Sequence, residues 1–185
     1  MTAQRIRAAA RIANGPGLGY PTAIPRAQTA MAVEIERKFH VIDLMWMASV
    51  SRKRRIRQAY LTKNGRVAIR IRIEDEHRAT LTIKTAQPSV SRQEYEYDIP
   101  VADAEELLEL RYGAVIEKTR HEVPVGDIVW EVDVFAGDNS GLVIAEVELA
   151  SGDQDFCRPE WLGEEITHDK RFYNADLAKR PYRNW

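Results

Sequence analysis

Charged and apolar residues alternate with a period of two along most of this chain, and no other feature restricts its fold as much. Successive side chains of a β-strand point to opposite faces, so this period predicts strands rather than helices. Eight such segments follow one another, at residues 33–41, 56–62, 66–74, 79–86, 91–99, 115–122, 128–135 and 141–149. Eight strands are enough to close a barrel.

Helices are predicted to be few and short. Residues 103–110 begin with Asp103 and carry Glu106 three positions later, which is the pattern of a capped helix start. Residues 42–50, 153–161 and 173–179 are weaker helix candidates. The sequence therefore predicts an α+β fold that is mainly β.

One face of the predicted strands carries most of the charge, and the opposite face carries mainly Ile, Val, Leu, Ala and Tyr. The polar face comprises Glu34, Glu36, Lys38, Gln58, Tyr60, Arg70, Arg72, Thr82, Lys84, Arg92, Glu94, Glu96, Lys118, Arg120, Glu131, Asp133, Glu146 and Glu148. Two arrangements fit this pattern. In an ordinary sheet or barrel the apolar face forms the core and the charged face is solvated.

The second arrangement turns the charges inward, into a wet lumen, and covers the apolar face with helices. Like charges repeat two residues apart on the polar face, and a solvated face has no reason to accept that repulsion so often. An inward charged face would bring acids and bases together in one cavity. Both arrangements stay open at this point.

The residue types on the polar face suit a metal ion and a polyanion. Its paired carboxylates offer the oxygen ligands that Mg²⁺ and Mn²⁺ prefer, and no cluster of Cys or His predicts a zinc site. Arg and Lys bind phosphate oxygens, Arg with two parallel hydrogen bonds. The bases in question are Lys38, Arg70, Arg72, Lys84, Arg92, Lys118 and Arg120. Together these groups predict chemistry on a chain of phosphates.

Composition limits the other classes of function. The net charge of -1 argues against a nucleic-acid-binding protein with a broad basic surface. The single cysteine, Cys157, suits a reducing compartment, and no apolar run is long enough to cross a bilayer, so we expect a cytoplasmic protein without a membrane partner. A homodimer stays open.

Residues 1–30 are rich in Ala, Gly, Pro and Arg and lack apolar periodicity, so they are predicted to be a disordered N-terminal extension before a domain at 31–185. An Arg-rich start without acids is also typical of organellar transit peptides, although this segment contains no serine. Met31 directly precedes the first predicted strand and is an alternative start of the protein.

An ordered series of short motifs resembles the CYTH domain, or triphosphate tunnel metalloenzyme, family, in particular its short bacterial members. The series begins with the Glu-x-Glu-x-Lys motif of Glu34, Glu36 and Lys38 and extends over nearly all of residues 32–180. Its later motifs include Gln58-Ala59-Tyr60-Leu61, Arg70-Ile71-Arg72, Lys118-Thr119-Arg120 and Glu146-Val147-Glu148. Ala59 stands where the family usually has Gly, and His168-Asp169-Lys170 replaces a frequent Asp-Asp-Pro.

The resemblance implies an eight-stranded antiparallel closed barrel that forms a tunnel, with a polar, charged lumen and a few helices packed outside. It also implies that acids bind Mg²⁺ or Mn²⁺ and that bases bind a small-molecule triphosphate. The expected activity is hydrolysis of inorganic tripolyphosphate by a metal-activated water. Alternatives are a class IV adenylate cyclase, a nucleoside or thiamine triphosphatase, and a polyphosphate-binding module without activity.

Residue roles follow as hypotheses. The metal ligands are expected to be Glu34, Glu36, Asp133, Glu146 and Glu148, and Glu131 could assist Asp133. Substrate contacts are expected from Lys38, Arg70, Arg72, Lys84, Arg92, Lys118 and Arg120, and Glu36, Lys38 and Lys84 are the expected catalytic residues. The basic run Arg52-Lys53-Arg54-Arg55 is interpreted as a solvated loop.

Overall fold

An antiparallel β-sheet dominates the computed structural model, which describes residues 35–62, 67–85 and 94–185. Its strands are β1 (Ile35–Val41), β2 (Arg52–Tyr60), β3 (Val67–Glu74), β4 (Arg78–Thr85), β5 (Glu94–Ile99), β6 (Tyr112–Val125), β7 (Ile128–Ala136), β8 (Val143–Leu149) and β9 (Leu162–Glu165). They are ordered β5-β4-β3-β2-β6-β7-β8-β1-β9 across the sheet. Every neighbouring pair is antiparallel.

The mainly β, antiparallel α+β class is confirmed, and all eight predicted strands are present. The strand count of eight was wrong, because the sheet has a ninth strand, β9, which pairs with the free side of β1. Four residues are too few to display a period, so the sequence pattern could not reveal it. Among the described residues β5 and β9 stand at opposite ends of the strand order and no pairing joins them, so a closed barrel is not observed.

The described residues form two short α-helices and four 3₁₀ turns. Helix α1 (Val101–Glu109) and helix α2 (Asn174–Lys179) match two of the predictions, although α1 begins after Pro100 rather than at Asp103. The segment 42–50 contains a 3₁₀ helix, Met45–Ser49. The helix predicted at 153–161 was wrong, because that segment is irregular. The other 3₁₀ turns are Gly137–Asn139, Lys170–Phe172 and Tyr182–Asn184.

The apolar face of the sheet is covered in two places. Helix α1 packs Ala104 and Leu108 against Ile71 and Ile73 of β3. The second cluster lies over β1, β6, β7 and β8, where Trp46 and Trp161 cover strand residues such as Trp130. Burial of each such large side chain contributes about 1.5–3 kcal/mol, so these two clusters provide much of the stability of the sheet.

A third apolar cluster lies on the other face of the sheet, at one end of the charged surface. Ile116, Phe135 and Ile144 each lie two residues from a charged residue of that face, and they pack against Phe172 and Leu177 from the C-terminal region. Gly113 allows this approach: it has a φ of +80°, and a Cβ there would lie 2.3 Å from the carbonyl oxygen of Ala178. Helix α2 therefore closes one end of the charged face, whereas α1 lies on the apolar side as predicted.

The predicted N-terminal extension at 1–30 lies outside the described residues. In the part of the chain that is described, the helices are too short or too polar to span a bilayer.

Candidate active site

Most described residues of the predicted polar face are buried or half-buried. Its side chains with at most 8% exposure are Lys38, Gln58, Thr82, Lys118, Arg120, Asp133 and Glu146. Buried ionised groups are tolerated only when they are paired or hydrogen-bonded. The first of the two sequence interpretations, a charged face open to solvent, was therefore wrong.

Five of these residues form a cluster of ion pairs on β1, β6, β7 and β8, which we call the acid-paired cluster: Lys38, Lys118, Arg120, Asp133 and Glu146. Arg120 donates from Nε to Oδ1 of Asp133 and from Nη2 to Oδ2, both at 2.7 Å. The ammonium of Lys118 donates to Oδ2 of the same carboxylate, and neither side chain has any exposed surface. Burial lowers the pKa of Lys118 below its ordinary value, although Asp133 opposes that shift.

Glu146 connects this cluster to β1. It accepts hydrogen bonds from Lys38, its direct partner in the β1–β8 register, and from Arg120, two strands away. Burial alone would raise the pKa of Glu146, but Lys118, Lys38 and Arg120 hold it well below its usual range. The carboxylate is therefore ionised throughout the physiological pH range.

The acids at the open end of this cluster are less well compensated. Glu36 faces Glu148 across the β1–β8 ladder, and cross-strand pairs of like charge are destabilising. Lys38 lies 2.8 Å from Glu36, whose side chain is 46% exposed, and Glu148 is exposed. Burial and the charge of Glu146 raise the pKa of Glu36 above its ordinary value. These carboxylates would gain from a nearby cation.

Two other pairs of facing acids are each bridged by an arginine. Glu131 faces Glu146 across β7 and β8, and Arg120 binds both. Glu122 faces Glu131 across β6 and β7, and Arg54 lies 3.1 Å and 3.5 Å from them. No such arginine bridges Glu36 and Glu148 among the ion pairs of the described residues. This pair is therefore the most suitable position for a divalent cation.

A metal ligand set is not already assembled. Across residues 35–62, 67–85 and 94–185, no three acidic, His or Cys side chains converge as a metal site would require. The ammonium of Lys38 lies between Glu36 and Glu146, where a cation would be shared by the two carboxylates. The donor chemistry fits a hard ion, and Glu34, the predicted first ligand, lies outside the described residues.

The opposite half of the face has donors in excess. We call Gln58 on β2 with Arg70 and Arg72 on β3 the donor cluster. Nε of Arg70 and Nε2 of Gln58 are buried without a hydrogen-bond partner. Burial, Arg70 and Arg120 lower the pKa of Arg72 to about 10, and its contact with Glu74, at 3.7 Å, is long. An anion bound here would accept from the unpaired buried donors and offset the repulsion between the guanidinium groups.

Thr82 and Glu96 border the donor cluster on its β4 and β5 side. Arg70 donates from Nη2 to the Thr82 hydroxyl at 3.1 Å, and this hydroxyl donates to Glu96 at 3.0 Å. Lys84 is half-buried further along β4, in register with Ala68 of β3. Arg92 lies outside the described residues. The described substrate candidates therefore share one face, with Lys84 near its β5 edge.

Arg54 belongs to this face, although the sequence interpretation excluded it. The run 52–55 is part of β2, so its interpretation as a loop was wrong. Arg54 shares the face of Gln58, is half-buried and contacts Glu74 at 3.3 Å, and its Nε has no partner. Its two-residue spacing to Ile56 and Gln58 was the available signal, which the surrounding basic run concealed.

A cavity of about 470 Å³ lies at the edge formed by β1 and β9. Its lining includes His40 and His168 as well as two arginines, each bound to an acid: Arg37 to Glu165, and Arg171 to Asp169. Both arginines are thus paired, in contrast to the unmatched donors of the donor cluster.

Comparison with known proteins identifies relatives over most of the chain. The family model of the CYTH domain matches residues 32–182. An inorganic triphosphatase of Acetivibrio thermocellus is 41% identical over 156 residues, which are 84% of this chain and 99% of the relative. An inorganic triphosphatase of Nitrosomonas europaea is 39% identical over 151 residues, or 78% and 96% of the two chains. A solved inorganic triphosphatase structure superposes with a TM-score of 0.62 at 38% identity, covering 80% of this chain and 95% of the other.

Proposed function

The chain belongs to the CYTH domain family, and on that premise we propose that it is a triphosphatase that hydrolyses inorganic tripolyphosphate to diphosphate and phosphate. Both curated relatives described above are inorganic triphosphatases, and they match this chain over nearly their whole length. The substrate is thus a small molecule with many oxygen acceptors and no base or sugar to recognise.

The observation that carries this proposal is the set of unpaired donors in the donor cluster. Nε of Arg70 and Nε2 of Gln58 are buried and have no acceptor, and Arg72 is repelled by two other guanidinium groups. Phosphate oxygens accept several hydrogen bonds and carry negative charge, so a polyphosphate would satisfy both needs at once. A neutral ligand could accept these hydrogen bonds but would not offset the charge, and a cationic ligand would add to the repulsion.

A divalent cation, Mg²⁺ or Mn²⁺, is part of the proposal. Glu36, Glu146, Glu148 and Asp133 would hold it, together with Glu34, which directly precedes β1 in the sequence. When bound, such an ion neutralises charge on phosphate oxygens and promotes ionisation of a water molecule. The uncompensated Glu36–Glu148 pair and the raised pKa of Glu36 support this position.

The chain's own side chains then have separate tasks. Hydrolysis breaks the bond between the terminal phosphorus and the bridging oxygen while a water oxygen attacks in line, and negative charge is spread over the outer oxygens. Lys38 and Lys84, with Arg70, Arg72, Arg92, Lys118 and Arg120, are proposed to bind those oxygens. The proton of the attacking water leaves to an acceptor or to solvent, and diphosphate departs.

We also propose that the charged face encloses the substrate as a tunnel. Lys38 on β1 lowers the pKa of Tyr60 on β2, and Glu146 on β8 raises it, although burial has the largest effect on that pKa. Three strands separate β2 from β1 in the sheet, which would be about 19 Å if the sheet were flat. The interaction of Tyr60 with Lys38 across this distance supports a sheet that curves around its charged face.

The decisive test is substitution of Glu36 in a purified protein whose phosphate release is measured with Mg²⁺ and with Mn²⁺. Tripolyphosphate, ATP and thiamine triphosphate are offered in turn, and cyclic AMP formation is assayed alongside. We expect tripolyphosphate to be the best substrate, and we expect Glu36→Gln to lower turnover by on the order of 100-fold, as loss of a preorganised electrostatic contact does.

Glu106→Gln is the matched control, because Glu106 is an exposed glutamate on α1, distant in sequence from the charged face. It should hydrolyse tripolyphosphate at the wild-type rate. Near-wild-type turnover of Glu36→Gln at saturating metal would exclude Glu36 as a metal ligand. Release from ATP alone, or cyclic AMP formation, would replace the proposed substrate.

A further inference from the structure

Gln58 is the one uncharged side chain of the donor cluster, and it has no individual role among the substrate contacts assigned above. It lies in the middle of β2 with no exposed surface. Its direct neighbours in the sheet are Arg72 on β3 and Ile116 on β6. A buried amide must satisfy an acceptor and two donor hydrogens, so its surroundings reveal what it is built to bind.

The orientation of the amide is determined by Arg72. Nε of Arg72 donates to Oε1 of Gln58 at 3.1 Å. If the amide were flipped, two donors would face each other, so Oε1 must lie on the Arg72 side. The amide nitrogen Nε2 consequently points away from this hydrogen bond, and it has no partner among the described residues.

The side chains next to Gln58 in the sheet register do not accept a hydrogen bond. Arg72 is a donor only, Ile116 is apolar, and Lys118, the partner of Ile56 in the β2–β6 register, is a donor only. A methionine at this position would bury no unsatisfied N–H of its own, although it would leave Nε of Arg72 without its acceptor. An acceptor from outside the chain would satisfy the amide nitrogen.

From this geometry we infer that Gln58 binds the substrate directly, donating through Nε2 to a phosphate oxygen while Oε1 holds Arg72 toward the same anion. This inference rests on the proposed function, since it names a contact in that same site. A neutral donor adds a directional hydrogen bond without adding to the repulsion among Arg70, Arg72 and Arg120. Gln58 is thus both a binding residue and a positioning residue for Arg72.

Two substitutions separate these roles. Gln58→Glu keeps an oxygen for Arg72 and removes the N–H donor, whereas Gln58→Met removes both with little change in volume. We expect Gln58→Met to raise KM for tripolyphosphate about 10-fold to 100-fold, as loss of a hydrogen bond to a charged group does, with kcat changed only a few-fold. Gln58→Glu should raise KM at least as much.

Gln154→Glu is the matched control, since Gln154 acts through its Oε1, which accepts from the Ala150 N–H at 2.7 Å in a surface loop. Its kinetics should equal those of the wild type. Gln58→Met should melt close to the wild-type temperature, because it removes one unsatisfied buried donor and leaves another, Nε of Arg72, without its acceptor. A wild-type KM for Gln58→Glu would restrict Gln58 to holding Arg72 and overturn the substrate contact.

Binding is measured separately from turnover, by calorimetry and by the side-chain amide signals in ¹H–¹⁵N spectra, with tripolyphosphate and EDTA. The Gln58 signals are identified by their absence in Gln58→Met, and we expect them to shift when tripolyphosphate is added. If the wild type binds tripolyphosphate without hydrolysing it, and Gln58→Met weakens binding, the proposed hydrolysis fails and the Gln58 contact stands. If hydrolysis occurs and both variants bind normally, only the Gln58 contact fails; if the wild type neither binds nor hydrolyses tripolyphosphate, both are wrong.

Discussion

The acid-paired cluster and the donor cluster lie on the same face of one sheet, yet their charges are paired to different extents. In the acid-paired cluster every ammonium and guanidinium group contacts a carboxylate closely. In the donor cluster the carboxylate contacts are longer, 3.6 Å from Arg70 to Glu96 and 3.7 Å from Arg72 to Glu74. Nε of Arg70 and Nε2 of Gln58 contact no acceptor, and Arg72 is repelled by other guanidinium groups. The charges of the first cluster are thus closely paired, and the second offers donors to an anion.

This difference indicates that the two clusters contribute to different properties of the protein. A buried ion pair that loses one member leaves an uncompensated charge, so the acid-paired cluster should be sensitive in both stability and activity. A guanidinium group that is repelled in the free protein stabilises only the complex. The donor cluster should therefore affect substrate binding while adding nothing to the stability of the free fold.

The largest effect is expected from Glu146→Gln. This change leaves Lys38 and Arg120 without a shared carboxylate in a buried site. We expect the free energy of unfolding to fall by about 3–5 kcal/mol, measured by urea denaturation. Activity should fall on the order of a thousandfold, the upper range for loss of one preorganised charge.

Glu148→Gln is the matched comparison, because Glu148 is on the same strand but exposed. Its stability should remain at the wild-type value or rise slightly, because repulsion with Glu36 is removed, while its activity becomes more dependent on metal concentration. Equal stability of Glu146→Gln and the wild type would show that the acid-paired cluster does not depend on Glu146.

An intermediate effect is expected from Arg72→Met, which should weaken substrate binding without lowering the stability of the free protein. Losing the charge-assisted contacts of a guanidinium should raise KM for tripolyphosphate about 100-fold. The melting temperature should not fall, since repulsion with Arg70 and Arg120 is removed. A large loss of stability with an unchanged KM would reverse the roles assigned to the two clusters.

The smallest effect is a pH dependence that belongs to the donor cluster. The pKa of Arg72 is lowered to about 10, so its charge is lost as the pH rises through that value. We expect the wild-type KM to rise about tenfold per pH unit above 10, because the phosphate contact needs the protonated form. Initial rates at pH 8 to 10.5 measure it, and Arg72→Met should lack this component.

Over the same pH range in which substrate binding weakens, the contribution of Arg72 to stability should become more favourable. Arg72 binds its proton more tightly in the unfolded chain than in the folded protein, so the protonated side chain lowers the free energy of unfolding. This unfavourable contribution shrinks as the pH rises through about 10. The stability advantage of Arg72→Met over the wild type, measured by urea denaturation, should therefore narrow. An advantage that is constant from pH 8 to 10.5 would contradict the lowered pKa.

The period-two pattern predicted much of the fold because strand geometry makes parity a local property. Lys38, Arg120 and Asp133 could be assigned to one face from spacing alone, and they do share it. Pattern failed where an element was too short or masked by composition. Strand β9 has four residues, and Arg54 stood within a basic run whose neighbours are exposed.

The metal and substrate roles of individual residues remain predictions, and Glu34 and Arg92 lie outside the described residues. Spacing treated all acids on the polar face as equivalent, yet Glu146 is buried and Glu148 is exposed two residues away. The apolar cluster around Phe172 and Leu177 could not be anticipated either, because those residues reach the polar face from the C-terminal region.

The sequence by itself determined which side chains share a face, since alternation along a strand needs no knowledge of neighbouring strands. Only the tertiary structure decided which charges are paired. Arg120 on β6 donates to Glu146 on β8, and Gln58 accepts from Arg72 while its Nε2 has no partner. Strand order and register bring these residues together although they are distant in the chain. Ion pairing depends on those distances between strands, and this pairing distinguishes the acid-paired cluster from the donor cluster.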